Sequence, residues 1–345
     1  MIKHRQVNWD VLSITRFILA FIVVADHLTQ FISNKFLKFI SEFGAFEAIL
    51  GFLLISGLSI GKSISRNQDS YFKRRIKRIY PVYFVSMIFS ILILPGSLTF
   101  GYLIYALLNL LFLNQALTAT SLIGPAWTLA LEVWLYALAP VFYKLSINKL
   151  LILIYISFLS FCFYTCGRTL YGWVYFAGTS YGINLILLSF IWIAGFTLAI
   201  YPERKKAISM HIAIIFVAHI TLTILIQVAY RYKHHEIDKV YSEDIFHFIS
   251  RSFCLIGVFF IVIFNNRIPS FPVIIHRIFT LLGNVSYPLY LLHRGVFYQL
   301  NKWSVESVWI MISTSLVLAY IVYAVFDSYS KKREEKPIAA LVNIN

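Results

Sequence analysis

Apolar runs of about membrane-spanning length recur along the chain at 11–31, 45–61, 79–98, 125–144, 149–166, 183–200, 208–230, 247–265, 279–300 and 305–327. A helix needs roughly 20 such residues to cross a bilayer core, so the pattern predicts ten transmembrane helices. An eleventh apolar stretch, 101–117 (GYLIYALLNLLFLNQAL), is placed by loop charge. Treated as re-entrant or peripheral, it leaves the basic stretches at 62–78, 144–149, 202–206, 267–277 and 331–333 on one side, together with Lys3 and Arg5; treated as a span, it breaks that pattern. Basic loops stay in the cytoplasm, so both termini are expected there, with the loops at 31–44, 167–182, 231–246 and 301–304 outside. The expected fold is an all-α polytopic membrane helix bundle, one domain over 1–345.

Composition agrees. Hydrophobic residues make up 59% of the chain and charged residues 13%, with a mean hydropathy of +0.76, which excludes a soluble globular domain. The first run carries Arg16 and lacks a small-residue cleavage site, so it is expected to remain as a helix rather than be removed as a signal peptide. Cys162, Cys166 and Cys254 lie in apolar runs with no CxxC pair; they read as packing residues, and no metal site is expected. The net charge of +15 sits in clusters such as Lys73, Arg74, Arg75, Lys77 and Arg78 that flank apolar runs. That distribution fits topology signals, anionic headgroups or an anionic cytosolic substrate rather than nucleic acid.

The polar residues inside the spans carry the chemistry. In VLSITRFILAFIVVADHLTQ, Arg16 and His27 are eleven residues apart, almost three helical turns, which puts them on one face about 16 Å apart along the axis. Ionisable groups in a span are costly and mark a pathway or an active site; the alternative is a snorkelling arginine and an interfacial histidine. With the expected topology, His27, Glu132 and His293 share the outward depth, and Arg16, Arg75 and Arg78 the inward one. Arg75 and Arg78 fall one turn apart on one face. Ser286, Tyr290 and His293 follow i, i+4, i+7, a polar stripe along one helix. Asp26 points about 100° away from His27 and is a poor orienting partner for it. His211 and His219 read as packing or interfacial residues.

Four segments together resemble the acyltransferase-3 family of integral membrane acyltransferases: the Arg16-to-His27 spacing, KRRIKRIYPVYF at 73–84, GPAWTLALEVWLYALAP at 124–140 and LLGNVSYPLYLLH at 281–293. Arg75 and Arg78 with Tyr80-Pro81 match the family's Arg-x-x-Arg motif. Trp127, Thr128, Leu129 and Glu132 match its Trp-Ser-Leu-x-x-Glu stretch, and Ser286, Tyr287, Leu289, Tyr290 and His293 its late Ser-Tyr segment. Ser56-Gly57 match a Ser-Gly pair in the second span. There are departures: Ser13 stands where an aspartate often precedes the first arginine, Asp10 lies further upstream, Thr128 replaces serine, and Val133 replaces a second glutamate.

The resemblance implies transfer of an acyl group, most often acetyl, from cytosolic acyl-CoA to a hydroxyl of an extracytoplasmic surface glycan or lipid-linked sugar. The expected setting is the bacterial cytoplasmic (inner) membrane and the expected acceptor lipopolysaccharide O-antigen or exopolysaccharide. No bound cofactor is implied; acetyl-CoA is a co-substrate. Some members carry a C-terminal SGNH hydrolase domain; this chain ends soon after its last span, so it is expected to act alone or with a separate periplasmic transferase. Arg16, Arg75 and Arg78 would hold the donor's phosphates. His27 would serve as general base or acyl-accepting nucleophile, with Glu132 polarising it or binding acceptor hydroxyls. His293, Tyr290 and Ser286 would assist or bind acceptor, with interfacial packing the alternative for Tyr290. Trp127 would stack a sugar or sit in the interfacial belt, and the aromatic loop at 168–182 offers an acceptor surface. Two rivals from other classes are a transporter or flippase for a lipid-linked glycan and a scaffold for glycan assembly.

Overall fold

The computed structural model describes residues 7–93 and 99–327; Lys3, Arg5, Lys331, Lys332 and Arg333, which entered the charge argument, lie outside them. The described chain is helical: α1 (Trp9–Leu28), α2 (Lys35–Ser41), α3 (Ala45–Arg66), α4 (Tyr71–Ile93), α5 (Phe100–Leu110), α6 (Trp127–Tyr143), α7 (Ile147–Tyr171), α8 (Ile183–Ile200), α9 (Lys205–Lys233), α10 (Ile245–Phe264), α11 (Val273–Lys302) and α12 (Val308–Val322). Among the described residues, nine helices are long and apolar enough to cross a membrane. The tenth expected span, 279–300, is present as α11, whose 30 residues reach about 45 Å; its polar stripe makes it less apolar than those nine. Within the stretch 101–117, α5 has 11 residues, about 16 Å and too short to cross. It is a peripheral segment that leaves Phe100 and Leu107 exposed. One element was not anticipated: α2, in the loop 31–44, started by the Asn34 side chain accepting from the amides of Phe36 and Leu37.

Hydrogen bonds tie the helix ends into two sets. At one end the Asn8 amide donates to Asn265 (3.2 Å), His276 Nδ1 donates to Asp10 (2.8 Å), Lys205 donates to Asn266 (3.2 Å) and Tyr201 to the Leu145 carbonyl (2.7 Å). At the other, Glu42 pairs with His247, Gln115 donates to the Ala177 carbonyl (2.9 Å) and Asn184 donates to Gln115 (2.6 Å). The long helices joined by short connections therefore run alternately between the two ends. Arg16 lies toward the first end of α1, His27 at the second.

The centre of the bundle is the contact of α3 with α8. A Cβ on Gly57 would overlap the Trp192 carbonyl, one on Gly195 would overlap the Leu54 carbonyl, and one on Gly61 would stand 2.8 Å from the Phe196 carbonyl. Small residues let the two backbones touch, and where lipid replaces water as solvent that contact area is what holds helices together. Ile55, Trp192 and Phe196 are fully buried around it.

Gly57→Ala is expected to push these helices apart. Overpacking of this kind costs about 1–3 kcal/mol. Thermal unfolding of the purified protein in detergent checks it, with a midpoint lower by several degrees; an unchanged midpoint would show that the helices are free to separate.

Candidate active site

A cavity of about 150 Å³ lies between α1, α3, α4, α6 and α11, with Arg16, Arg75, Arg78 and Glu132 in its wall. Its wall includes a hydrogen-bond chain. Tyr136, one turn after Glu132 on α6, donates its hydroxyl to the Glu132 carboxylate at 2.6 Å, and Ser56 Oγ lies 2.8 Å from the same hydroxyl. With the Tyr136 proton spent on Glu132, Ser56 donates to Tyr136, and Ser56 accepts in turn from the Trp192 indole N–H at 3.3 Å. Neither Tyr136 nor Trp192 was singled out from sequence; the i, i+4 relation of Tyr136 to Glu132 was the available signal.

The arginines were expected together, and the structure brings them together. Arg16, Arg75 and Arg78 line the same cavity as Glu132. Because α4 begins at Tyr71, Arg75 and Arg78 sit in its first turns, i and i+3, on the cavity side. Arg75 donates to Ser63 Oγ at 2.6 Å, yet its Nε is buried with no partner. Among the described residues none of the three is within ion-pair distance of a carboxylate. A buried donor left unmade is expensive, so three guanidinium groups facing one carboxylate favour an anionic guest. Arg74, by contrast, donates to the carbonyls of Asn67 and Asp69, which closes the turn between α3 and α4. The upstream anchors are also spent elsewhere: Asp10 accepts from His276, and Ser13 packs against Gly283, where a Cβ would stand 2.5 Å from its own. Glu132 is thus the one carboxylate that lines the cavity with Arg16.

The outward trio expected from sequence divides. His27 Nδ1 lies 2.8 Å from His293 Nε2, and His293 Nδ1 lies 3.0 Å from the Leu289 carbonyl. A carbonyl only accepts, so Nδ1 of His293 carries the proton, its Nε2 accepts from His27 Nδ1–H, and Nε2 of a neutral His27 keeps its lone pair. His293 is 0% exposed. Glu132 does not join this pair; its carboxylate turns toward α3 and the arginines, because α6 enters through the 3₁₀ turn Gly124–Ala126 and places Glu132 more than a turn below its start. The polar stripe of α11 divides likewise: Ser286 and Tyr290 line the arginine cavity, while His293 and His27 do not. Ser286 spends its hydroxyl on the Gly283 carbonyl at 2.7 Å. Between the two groups stands Tyr290, whose hydroxyl lies 2.8 Å from Thr128 Oγ1; both hydroxyls reach the Pro125 carbonyl at 3.2 Å. Its ring centre is 6.3 Å from that of His293.

Two other expectations change. Trp127 is 5% exposed and packs edge-to-face with Tyr175; it is neither an open sugar platform nor a belt residue, since the turn before α6 tucks it into the core. His219 is more than packing, for its Nε2 lies 3.8 Å from Glu47. His211 is held by Tyr155 at 2.7 Å, as a packing residue should be.

The family model for acyltransferase family 3, described as "Acyltransferase domain", matches residues 9–327. The chain belongs to the acyltransferase-3 family. It is therefore a multi-pass membrane acyltransferase. A protein of Acidianus two-tailed virus named "Putative acetyltransferase ORF330" is 28% identical over 252 residues, which is 70% of this chain and 68% of the viral one. No solved structure matches the chain. The match runs from α1 through the π-helical turn after α12, so both histidines, Glu132 and the three arginines fall inside the acyltransferase domain.

Tyr136→Phe removes one hydrogen bond to a buried carboxylate, worth about 1.5–3 kcal/mol. It is expected to slow acyl transfer roughly tenfold to a hundredfold while Glu132→Gln slows it at least as much; steady-state rates in reconstituted membranes check this. Full activity in Tyr136→Phe would mean that Glu132 needs no orientation.

Proposed function

We propose that the protein moves an acyl group, acetyl, from cytosolic acetyl-CoA to a hydroxyl of an extracytoplasmic glycan, a surface polysaccharide or lipid-linked sugar such as lipopolysaccharide O-antigen or exopolysaccharide, in the bacterial cytoplasmic membrane. Both termini lie in the cytoplasm, as the basic connections of the chain suggest. The observation that carries this reading is the division of α1: a three-arginine cavity around Arg16 at one depth and the His27–His293 pair at the other, eleven residues on.

The donor's phosphates are held by Arg75 and Arg78, and Arg16 lies deeper, where it draws the thioester inward. The unpartnered Nε of Arg75 supports an anion there. The thioester passes Tyr290 and Thr128 to reach the histidines. His27 Nε2 takes the proton of the acceptor hydroxyl as that oxygen attacks the thioester carbon; the C–S bond breaks and the thiolate takes the proton back. Alternatively Nε2 carries the acyl group itself before the hydroxyl attacks. In either case the hydrogen bond from His27 Nδ1 to His293 Nε2 orients the ring and spreads the charge it gains. Acceptor hydroxyls approach from the His27 end, and a separate periplasmic protein can take the product onward.

The test is transfer of labelled acetyl from acetyl-CoA to cell-surface glycan in membranes containing wild type or His27→Ala. Label is expected with wild type and is expected to fall by at least about a thousandfold in the variant. Substantial residual transfer by a well-inserted His27→Ala would remove His27 from the chemistry, and glycan export that fails along with acylation would favour the transporter. Arg75→Ala is expected to raise the KM for acetyl-CoA about tenfold or more through loss of a charge-assisted phosphate contact, with little change in the KM for glycan. Initial-rate kinetics distinguish that from a uniform loss of active protein.

A further inference from the structure

The wall of the arginine cavity changes character along its length. On α3, which begins at the His27 end of the bundle, the lining runs from Ile49, Phe52 and Leu53 to Ser56 and Ser59, one helical face at i, i+3, i+4, i+7 and i+10. On α6, which begins at the same end, Leu129 comes before Glu132. The half of the cavity nearer the histidines is therefore apolar, and the charged groups lie in the other half. The polar side chains of the apolar half are Thr128 and Tyr290, whose hydroxyls are already directed at the Pro125 carbonyl.

Most of this apolar half is fixed. Ile49 and Leu53 are 6% and 1% exposed and belong to the core around α3 and α8, while Leu129, also 6% exposed, belongs to the core shared by α4, α6 and α11. Tyr290 is pinned through its hydroxyl, 2.8 Å from Thr128 Oγ1. Phe52 is half-buried and is held by packing alone. Its ring stands edge-to-face on Tyr290, with the centres 5.8 Å apart at 61°, and the centre of Tyr290 is in turn 6.3 Å from that of His293. The Phe52 ring is thus the bulk that limits the cavity just before the histidines.

We infer that Phe52 is a specificity-determining residue that sets the size of the transferred acyl group: its ring leaves room for acetyl in the apolar half of the cavity and excludes bulkier acyl groups. This rests on the acyltransferase reading and deepens it. A donor whose phosphates sit at the arginines presents its acyl end to the apolar half, where the wall suits a hydrocarbon substituent and offers a polar one no free partner. Extra methylenes there must displace the Phe52 ring, and Tyr290 behind it cannot yield without losing its hydrogen bonds. Overfilling a stiff apolar site is disfavoured, and a wall of this kind discriminates by about 10-fold to 200-fold per methylene. Ile49 and Leu53 are poorer selectors, because truncating either opens a void in the core as well as in the cavity.

Membranes containing the full-length protein are assayed for transfer of label to cell-surface glycan from acetyl-CoA and from isobutyryl-CoA. The quantity read is the ratio of the two kcat/KM values, since a loss of folded protein lowers both alike. Wild type is expected to favour acetyl at least about tenfold, Phe52→Ala to reduce that preference at least about tenfold, and Phe52→Leu, which keeps more of the side chain, to fall between them. An unchanged ratio in the variants, or a wild type that uses the two donors equally, overturns the inference while acyl transfer stands. Calorimetric binding of the thioethers S-ethyl-CoA and S-isobutyl-CoA provides a readout that needs no transfer: wild type is expected to bind S-ethyl-CoA at least about tenfold more tightly, and Phe52→Ala to narrow the gap. The same gap between the two thioethers in wild type and Phe52→Ala overturns the inference. A gap that narrows in the variant, with no transfer from either donor, would leave the acyl site standing and remove the acyltransferase reading instead.

Discussion

The backbone contact between α3 and α8 is the constraint on which the rest depends. Gly57 and Gly195 let the helices touch, and Ser56, next to Gly57, is thereby brought under the indole of Trp192 and against Tyr136. Tyr136 in turn fixes Glu132. A feature of packing thus becomes a feature of electrostatics: the depth and direction of a buried carboxylate are set by how closely two helices approach. The Ser56-Gly57 pair has two functions in one dipeptide, a hydroxyl for the chain of hydrogen bonds and a bare backbone for the helix contact.

That carboxylate shares its cavity with the cationic groups. Arg16, Arg75 and Arg78 come from two helices and line one cavity with Glu132, so the cavity keeps an excess of positive charge. At the other end of α1 the histidines are organised without any carboxylate: a backbone carbonyl orients His293, and His293 orients His27. A neutral relay of this kind sets the tautomer but stabilises an imidazolium less than an anion would.

Much of this was legible in the chain. The apolar runs located the long helices, and the helical repeat aligned Arg16 with His27, because both signals are one-dimensional. What sequence could give for Glu132 was its depth, and depth alone suggested a partnership with His27. The direction of its side chain depends on the 3₁₀ turn Gly124–Ala126 and on Tyr136 and Ser56, which only the packed bundle displays. Trp127 misled for the same reason: a tryptophan at a helix start reads as interfacial until the turn before it carries the ring inward. His219 looked isolated because Glu47 lies far away in sequence and meets it only through the approach of α9 to α3.

Thr128 and Tyr290 place two hydroxyls on one acceptor, the carbonyl of Pro125. A carbonyl oxygen only accepts, so a line of hydrogen bonds that arrives there ends there. The Thr128–Tyr290–Pro125 junction is a terminus: on this side the hydroxyls of the cavity meet an oxygen that only accepts, and what Tyr290 shares with His293 is a ring contact.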